Sequence, residues 1–243
     1  MSDTKRYEGQ LVSVEDVTRS FGSGKTLVNV LQGIDLSVNA GELVALFGPS
    51  GSGKTTLLNL IGALDTPSGG TVYFRDTDVN RLSEGRKAKL RRHNFGFIFQ
   101  NYTLVPTYTA LENIDLVLRL PGLHIFERRR RARAALEAVG LTAWSDHLPG
   151  QLSGGQQQRI AIARALALHP AVVLADEPTS GLDTRTAHRI LRLLRSIAAA
   201  QGTAFLIVSH DLTVRTYVDR AFELQNGHLV AQDLSSYKEQ QPQ

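Results

Sequence analysis

The sequence predicts an α/β protein: a mainly parallel sheet, preceded by antiparallel β structure and interrupted by a helical insert. Three observations point there. Short apolar runs alternate with helical stretches at 42–62 and again at 156–208, the pattern of strands joined by crossover helices. Ahead of them, up to Val38, the chain carries only strand-like runs. Between about Arg81 and Gly150 basic helical segments replace the apolar strands.

In order, Gln10–Val14 alternates as an edge strand would. Gly22-Ser23-Gly24-Lys25-Thr26 reads as a hairpin turn. Leu27–Leu31 and Ile34–Val38 read as two strands, with Gln32-Gly33 between them as a two-residue turn. Glu42–Phe47 is a short buried strand, and Thr56–Ile61 opens a helix that ends at Gly62. Pro67-Ser68-Gly69-Gly70 is a turn before a strand at Thr71–Phe74. Within the insert, Glu127–Val139 is helical, and Leu104-Val105-Pro106 and Leu120-Pro121-Gly122 break the helices. Beyond it come a helix over Gln156–Leu168, a strand at Ala171–Ala175, a helix at Thr186–Ala200, a strand at Phe205–Val208 and a hairpin near Phe222–Val230. The 243 residues are expected to form one domain: a core of 1–87 and 156–234, a helical subdomain of 88–155, and a polar, frayed tail of 235–243.

Between the strand at 42–47 and its helix lies Gly48-Pro49-Ser50-Gly51-Ser52-Gly53-Lys54-Thr55. Two glycines at this spacing, followed by Lys and a hydroxyl residue, fit a phosphate-binding loop. Glycine lets the backbone curl so that successive N–H groups face phosphate oxygens, and the new helix adds its positive dipole end. Lys54 can reach the outer phosphates, and the Thr55 hydroxyl can hold Mg2+. The segment Gly22–Thr26 ends in the same letters, but Arg19 stands where the first glycine belongs and no buried strand leads into it.

Val172-Val173-Leu174-Ala175-Asp176-Glu177 is a second buried strand, ending in two carboxylates. Ligands of open α/β sheets sit at the carboxyl ends of the strands. Asp176 is therefore expected beside the phosphate loop, helping to hold Mg2+ through water, and Glu177 is placed to orient or deprotonate an attacking water. The bland alternative is an acidic helix cap. Phe205–Val208 leads into Ser209-His210-Asp211, where His210 is either a γ-phosphate contact or a structural histidine. Leu152-Ser153-Gly154-Gly155-Gln156 exposes N–H groups at a helix start, a second anion site that one nucleotide cannot fill together with the first.

Composition sets the limits. Hydrophobic residues make up 42% and charged residues 21%, as in ordinary soluble proteins. The absence of cysteine excludes disulfides and thiolate metal sites and is compatible with a reducing compartment. Met1–Arg6 has no apolar stretch behind it and is not expected to be a signal peptide. No run approaches the ~20 apolar residues of a membrane span, so a membrane link is expected through a partner. The net charge is +4, and eleven of the 27 Lys and Arg residues fall between Arg86 and Arg133, against three acidic ones. That run, including Arg128–Arg133, fits a solvated face or proximity to anionic headgroups. Without regular aromatic interleaving it does not fit a nucleic-acid groove, and no nucleic-acid partner is expected.

Together these motifs resemble the nucleotide-binding subunit of ATP-binding-cassette transporters over almost the whole chain. The loop at 48–55 resembles the family's Walker A, Val172–Glu177 its Walker B, and Leu152–Gln156, continuing Gln157-Gln158-Arg159, its signature. Gln100, after Phe97-Ile98-Phe99, sits where the family has its Q-loop glutamine; Ser180-Gly181-Leu182-Asp183 resembles the D-loop and His210 the switch histidine. Phe21 stands in place of an adenine-stacking tyrosine and keeps the π-face. The resemblance implies a RecA-like P-loop NTPase fold and ATP hydrolysis, with ATP and Mg2+ as cofactors. It implies Glu177, His210 and Gln100 in catalysis. Nucleotide would contact Phe21, Gly48, Ser50, Gly51, Ser52, Gly53, Lys54, Thr55 and Thr56 and, across a dimer, Ser153, Gly154, Gly155, Gln156 and Asp183. Thr55, Gln100 and Asp176 would lie around the metal.

The resemblance further implies a homodimer packed head to tail around two ATP molecules, with the helical insert passing motion to a membrane partner. Phe95–Asn101, Thr109–Ile114 and Ile61–Asp65 are similar to the lipoprotein-release, macrolide-efflux and cell-division group. That group implies permease subunits with few spans and a large extracytoplasmic domain, and a peripheral position on the cytoplasmic face of the inner membrane. An ATP-driven switch gating a membrane partner is the alternative. A soluble repair or translation ATPase is disfavoured, since the chain has neither a long coiled-coil insert nor a second cassette. A simple P-loop kinase has no use for Leu152–Gln156.

Overall fold

The computed structural model describes residues 9–235. Met1–Arg6 and positions 236–243 of the polar tail lie outside the described residues. The chain forms β1 (Gln10–Phe21), β2 (Val28–Asn39), β3 (Leu43–Phe47), α1 (Lys54–Ile61), β4 (Gly69–Phe74), β5 (Thr77–Asp78), α2 (Glu84–Asn94) and β6 (Phe95–Ile98). It continues with α3 (Ala110–Arg119), α4 (Ile125–Ala138), α5 (Gly154–Leu166), β7 (Val172–Asp176), α6 (Thr184–Gln201), β8 (Ala204–Val208), β9 (Arg220–Gln225) and β10 (His228–Gln232).

Two sheets result. A four-stranded antiparallel sheet runs β2-β1-β4-β5, and a six-stranded sheet runs β10-β9-β3-β8-β7-β6. Every pairing from β9 to β6 is parallel, and only the edge strand β10 is antiparallel. This is the α/β architecture expected.

Both faces of the larger sheet are covered, which is why its strands read as continuous apolar runs. Along β3, Leu43, Ala45 and Phe47 face a core shared with α3, α4, α5 and α6, while Val44 and Leu46 face a second core under α1 and the antiparallel sheet. Successive side chains of a strand point to opposite faces, so one five-residue strand serves both cores. Helix starts follow from local chemistry. Thr109 accepts from the Glu112 amide at 3.2 Å and the Glu112 carboxylate accepts from the Thr109 amide at 2.8 Å, a reciprocal cap that opens α3.

Three expectations are corrected. Gln10–Val14 is no edge strand: β1 continues to Phe21 and pairs with β2 on one side and β4 on the other. Register shifts between Val14 and Val17, with Asp16 at φ +47°, break the alternation that made the strand look short. Gln32-Gly33 is no turn, because β2 runs unbroken through it. Gly33, at φ +67°, makes a bulge, and the amide of Gln32 donates to the Gly227 carbonyl at 2.8 Å in the β9–β10 hairpin. Finally, the segment 88–155 contains β6, which pairs in parallel with β7. Gly96 lets α5 close on it: a Cβ there would meet the Ala165 carbonyl oxygen at 2.6 Å. In addition, α5 begins at Gly154, two residues before the expected start, and is buried on most sides.

Candidate functional site

The strands β3, β6, β7 and β8 run in the same direction, and their carboxyl ends carry Gly48, Gln100, Asp176–Glu177 and Ser209–His210 at one end of the sheet. The loop from Gly48 to Gly53 has Gly48, Gly51 and Gly53 at φ +139°, +78° and +105°. Two of these are forced by packing as well as by curvature. A Cβ on Gly48 would meet the Leu224 carbonyl oxygen at 2.7 Å, and one on Gly53 would meet Val30 Cγ1 at 2.8 Å. The left-handed Gly53 then caps α1, which has no side-chain cap, so its first amides are left for a ligand or solvent. Lys54 Nζ donates to the carbonyls of Gly48 and Pro49, each at 2.8 Å, and so sits over the loop. Ser50 and Gly51 are exposed, while Ser52 and Thr56 are partly buried.

Thr55 is exposed, and its hydroxyl donates to Asp176 Oδ2 at 2.8 Å, joining the loop to the end of β7. Both are hard oxygen donors of the kind Mg2+ accepts, usually with substrate phosphates completing its shell. Among the described residues no group of three or more His, Asp or Glu gathers around a metal position. The pair therefore fits a cation that reaches the site with phosphate, and does not form a protein-only cage.

Glu177 follows directly and is buried, at 8% exposure. Its φ of +53° is uncommon for a residue other than glycine, and such conformations cluster at functional sites. Its amide donates to the Val208 carbonyl at 2.9 Å, which pins the turn to β8. Its carboxylate is held from two sides: Oε1 lies 2.9 Å from His210 Nδ1, and Oε2 accepts from Ser209 Oγ at 3.3 Å and the His210 amide at 3.4 Å. The His210 ring otherwise faces solvent. Glu177, His210, Asp176 and Thr55 thus stand together. Ser209, fully buried, was not singled out from the sequence, although it is the first polar residue after the apolar run of β8.

Phe21 ends β1 and is 44% exposed. The Arg19 guanidinium lies 4.5 Å from its ring centroid and is tied to Asp65 at 2.8 Å. Gln100 is exposed just past β6.

The remaining predicted residues stand elsewhere. Ser153 caps α5, its hydroxyl accepting from the Gln156 amide at 3.3 Å while Gln156 Oε1 accepts from the Ser153 amide at 2.8 Å. Ser153 and Gly154 are exposed, with Gly155 and Gln156 partly so. Asp183 caps α6, and its hydrogen bonds from Thr186 hold its carboxyl below the usual range. Among the described residues, no hydrogen bond or ion pair joins Leu152–Gln156 or Asp183 to the phosphate loop. Within one chain, then, the structure gathers the loop and the carboxylates and keeps the signature apart.

Residues 31–180 match the ABC transporter family. The lipoprotein-releasing system ATP-binding protein LolD of Pseudomonas fluorescens is 46% identical over 92% of this chain and 99% of its own length. The macrolide export ATP-binding/permease protein MacB of Brucella abortus is 45% identical over 91% of this chain, which spans only 34% of that larger protein. Among solved structures, a dimeric ATP-binding cassette in a post-hydrolysis state with ADP and Pi superposes with a TM-score of 0.87 at 40% identity, covering 92% of this chain and 98% of that one. With the glycine-rich loop, Asp176, Glu177 and His210 assembled at one sheet end, the chain belongs to the ABC transporter family as an ATP-binding and ATP-hydrolysing subunit.

Proposed function

We propose that two copies of this chain pack head to tail around two ATP–Mg2+ and power a membrane permease in export or in extraction of material from the membrane. One observation carries the reading: a buried carboxylate, Glu177, held by His210 and Ser209 one residue beyond the Asp176–Thr55 pair. In each site the amides of Gly51, Gly53 and Thr55 cradle the phosphates, with Gly48, Ser50, Ser52 and Thr56 shaping the loop, and Lys54 moves from its own carbonyls to the outer phosphates. The adenine stacks on the face of Phe21 away from Arg19. Thr55, Asp176 and Gln100 would hold Mg2+, which would supply charge neutralisation on the phosphates. Glu177 orients and deprotonates the attacking water, and His210 contacts the γ-phosphate.

The second half of each site comes from the partner copy, whose Ser153–Gln156 helix start and Asp183 close on the nucleotide. The exposure of Ser153 and Gly154 and the dimeric solved relative support this. The permease docks beside Gln100, on the cytoplasmic face of the inner membrane. A groove of about 490 Å3 lies there, with Leu64, Phe97, Phe99 and Leu120 exposing apolar surface between Arg91 and Arg164. Among the described residues no helix is long and apolar enough to cross a membrane. Similarity to LolD and MacB supports permeases with few spans and a large extracytoplasmic domain. Those relatives act on lipoprotein and on macrolide, and the substrate here would be of one of these classes.

The test is Glu177→Gln. Loss of a positioned base lowers turnover by roughly 10²–10⁴-fold, while ATP binding persists and traps a dimer visible by size-exclusion chromatography with light scattering. Hydrolysis at the wild-type rate, or a monomer at saturating ATP, refutes the reading.

A further inference from the structure

The loop that follows Gln100 is held in a conformation its own residues disfavour. Tyr102 and Thr103 both have positive φ, +55° and +50°. For a β-branched threonine this is an outlier, and such geometry persists only where the surroundings over-determine it. The loop makes local turn bonds of its own, the Tyr102 amide to the Phe99 carbonyl at 3.2 Å and the Thr103 hydroxyl to the Tyr102 carbonyl at 2.8 Å, and one side chain of the signature helix ties it to the rest of the fold. Arg164, near the end of α5, donates from Nη1 to the Thr103 carbonyl at 2.7 Å, and from Nη2 to the Tyr102 carbonyl at 2.9 Å and the Thr103 hydroxyl at 2.8 Å. Burial pushes the Arg164 guanidinium below its ordinary range, and among the described residues no carboxylate pairs with it. Three of its hydrogen bonds go to this loop.

Tyr102 also reaches the other end of α5. A Cβ on Gly154 would meet the Tyr102 hydroxyl oxygen at 3.1 Å, and one on Gly181 would meet it at 3.2 Å. The phenol therefore lies against the first residue of α5 and against the turn that leads to Asp183. The same helix bonds the turn after Glu177, because buried Gln158 donates to the Pro178 carbonyl at 2.9 Å. One rigid helix thus carries the signature at its start, the Glu177 turn at its middle and the Gln100 loop at both ends.

We propose that Arg164 and Tyr102 are positioning residues for ATP hydrolysis: they latch the backbone after Gln100 to α5, so that engagement of the Ser153–Gln156 helix start by nucleotide on the other copy sets where Gln100 stands. The proposal rests on the roles given above to Gln100 and the signature. It names the physical link between them. A helix moves as a unit, and a loop bonded near its end through Arg164 and packed against its start through the Tyr102 ring moves with it, whereas the phosphate loop and Phe21 make none of these contacts and keep their affinity for ATP.

The experiment compares Arg164→Gln and Tyr102→Phe with the unaltered protein, measuring ATP affinity by titration calorimetry in the Glu177→Gln background and kcat at saturating Mg-ATP. Arg164→Gln is expected to lower kcat roughly tenfold and Tyr102→Phe about threefold. Affinity should stay within about twofold in both. A kcat unchanged in folded Arg164→Gln, or an affinity that falls in step with kcat, overturns the latch. If Arg164→Gln does not fold, Tyr102→Phe decides by the same criterion, since it removes only a hydroxyl from a partly exposed side chain. Glu177→Gln alone separates the two levels of the argument. If it hydrolyses ATP normally, the catalytic reading fails; if it is inactive while the latch variants turn over at full rate, only the latch fails.

Discussion

Two helices of this chain start at a glycine next to a serine, α1 capped by Gly53 and α5 opening on Gly154, and they differ in what stands around the first turn. At the start of α1 the backbone is enclosed: Gly48 lies against β9 and Gly53 against Val30 and Leu31 of β2, with no side-chain cap. At the start of α5, Ser153 and Gln156 cap each other, and Ser153 and Gly154 face solvent. The first is a glycine-lined loop with uncapped helix amides, packed from below and open to solvent at Ser50, Gly51 and Thr55. The second is a finished helix end presented outward. On the function proposed, binding to the first needs one chain and contact with the second needs another, so the difference would separate affinity from turnover.

Beyond Glu177→Gln, substitutions at three positions bear on that separation. Ser153→Asp keeps an excellent helix cap but places a negative charge where the partner's γ-phosphate would arrive. Turnover should fall roughly a hundredfold, the scale of losing one transition-state contact, while ATP affinity of the isolated chain and the melting temperature hold. Full activity would mean that this helix end never meets nucleotide. Lys54→Ala acts on the enclosed side. Hydrogen bonds to charged groups contribute about 1.5–3 kcal/mol, so calorimetry should record ATP affinity weaker by roughly ten- to a hundredfold. Affinity unchanged by that substitution would break the comparison from the other direction. Phe21→Ala should weaken ATP by about fivefold, the lower range of aromatic–base stacking, and Phe21→Tyr should restore it. Equal loss in both variants would place adenine elsewhere.

The catalytic end of the sheet was legible because its chemistry is written in contiguous residues. Gly48–Thr55 needs its glycines where the backbone turns left-handed, and Asp176-Glu177 needs an apolar strand before it. Less legible were the contacts that cross the chain. Ser209 follows an apolar strand like many other serines, and only the pairing of β8 with β7 brings it to Glu177. Arg164 reads as the second of two basic residues on α5, and its acceptors lie 61 and 62 positions away. The insert hid β6 because the surrounding basic residues outweigh four residues of strand.

The sequence by itself determined the phosphate loop, the order of strands and helices, the carboxylates at a strand end and the signature at a helix start. Each depends on backbone preferences and side-chain spacing within about ten residues. Tertiary structure alone decided that β1 is central in its sheet, that β2 passes unbroken through Gly33, that β6 belongs to the parallel sheet and that Arg164 holds the loop after Gln100. These depend on which distant segments meet, and that choice belongs to packing and hydrogen-bond satisfaction across the whole fold.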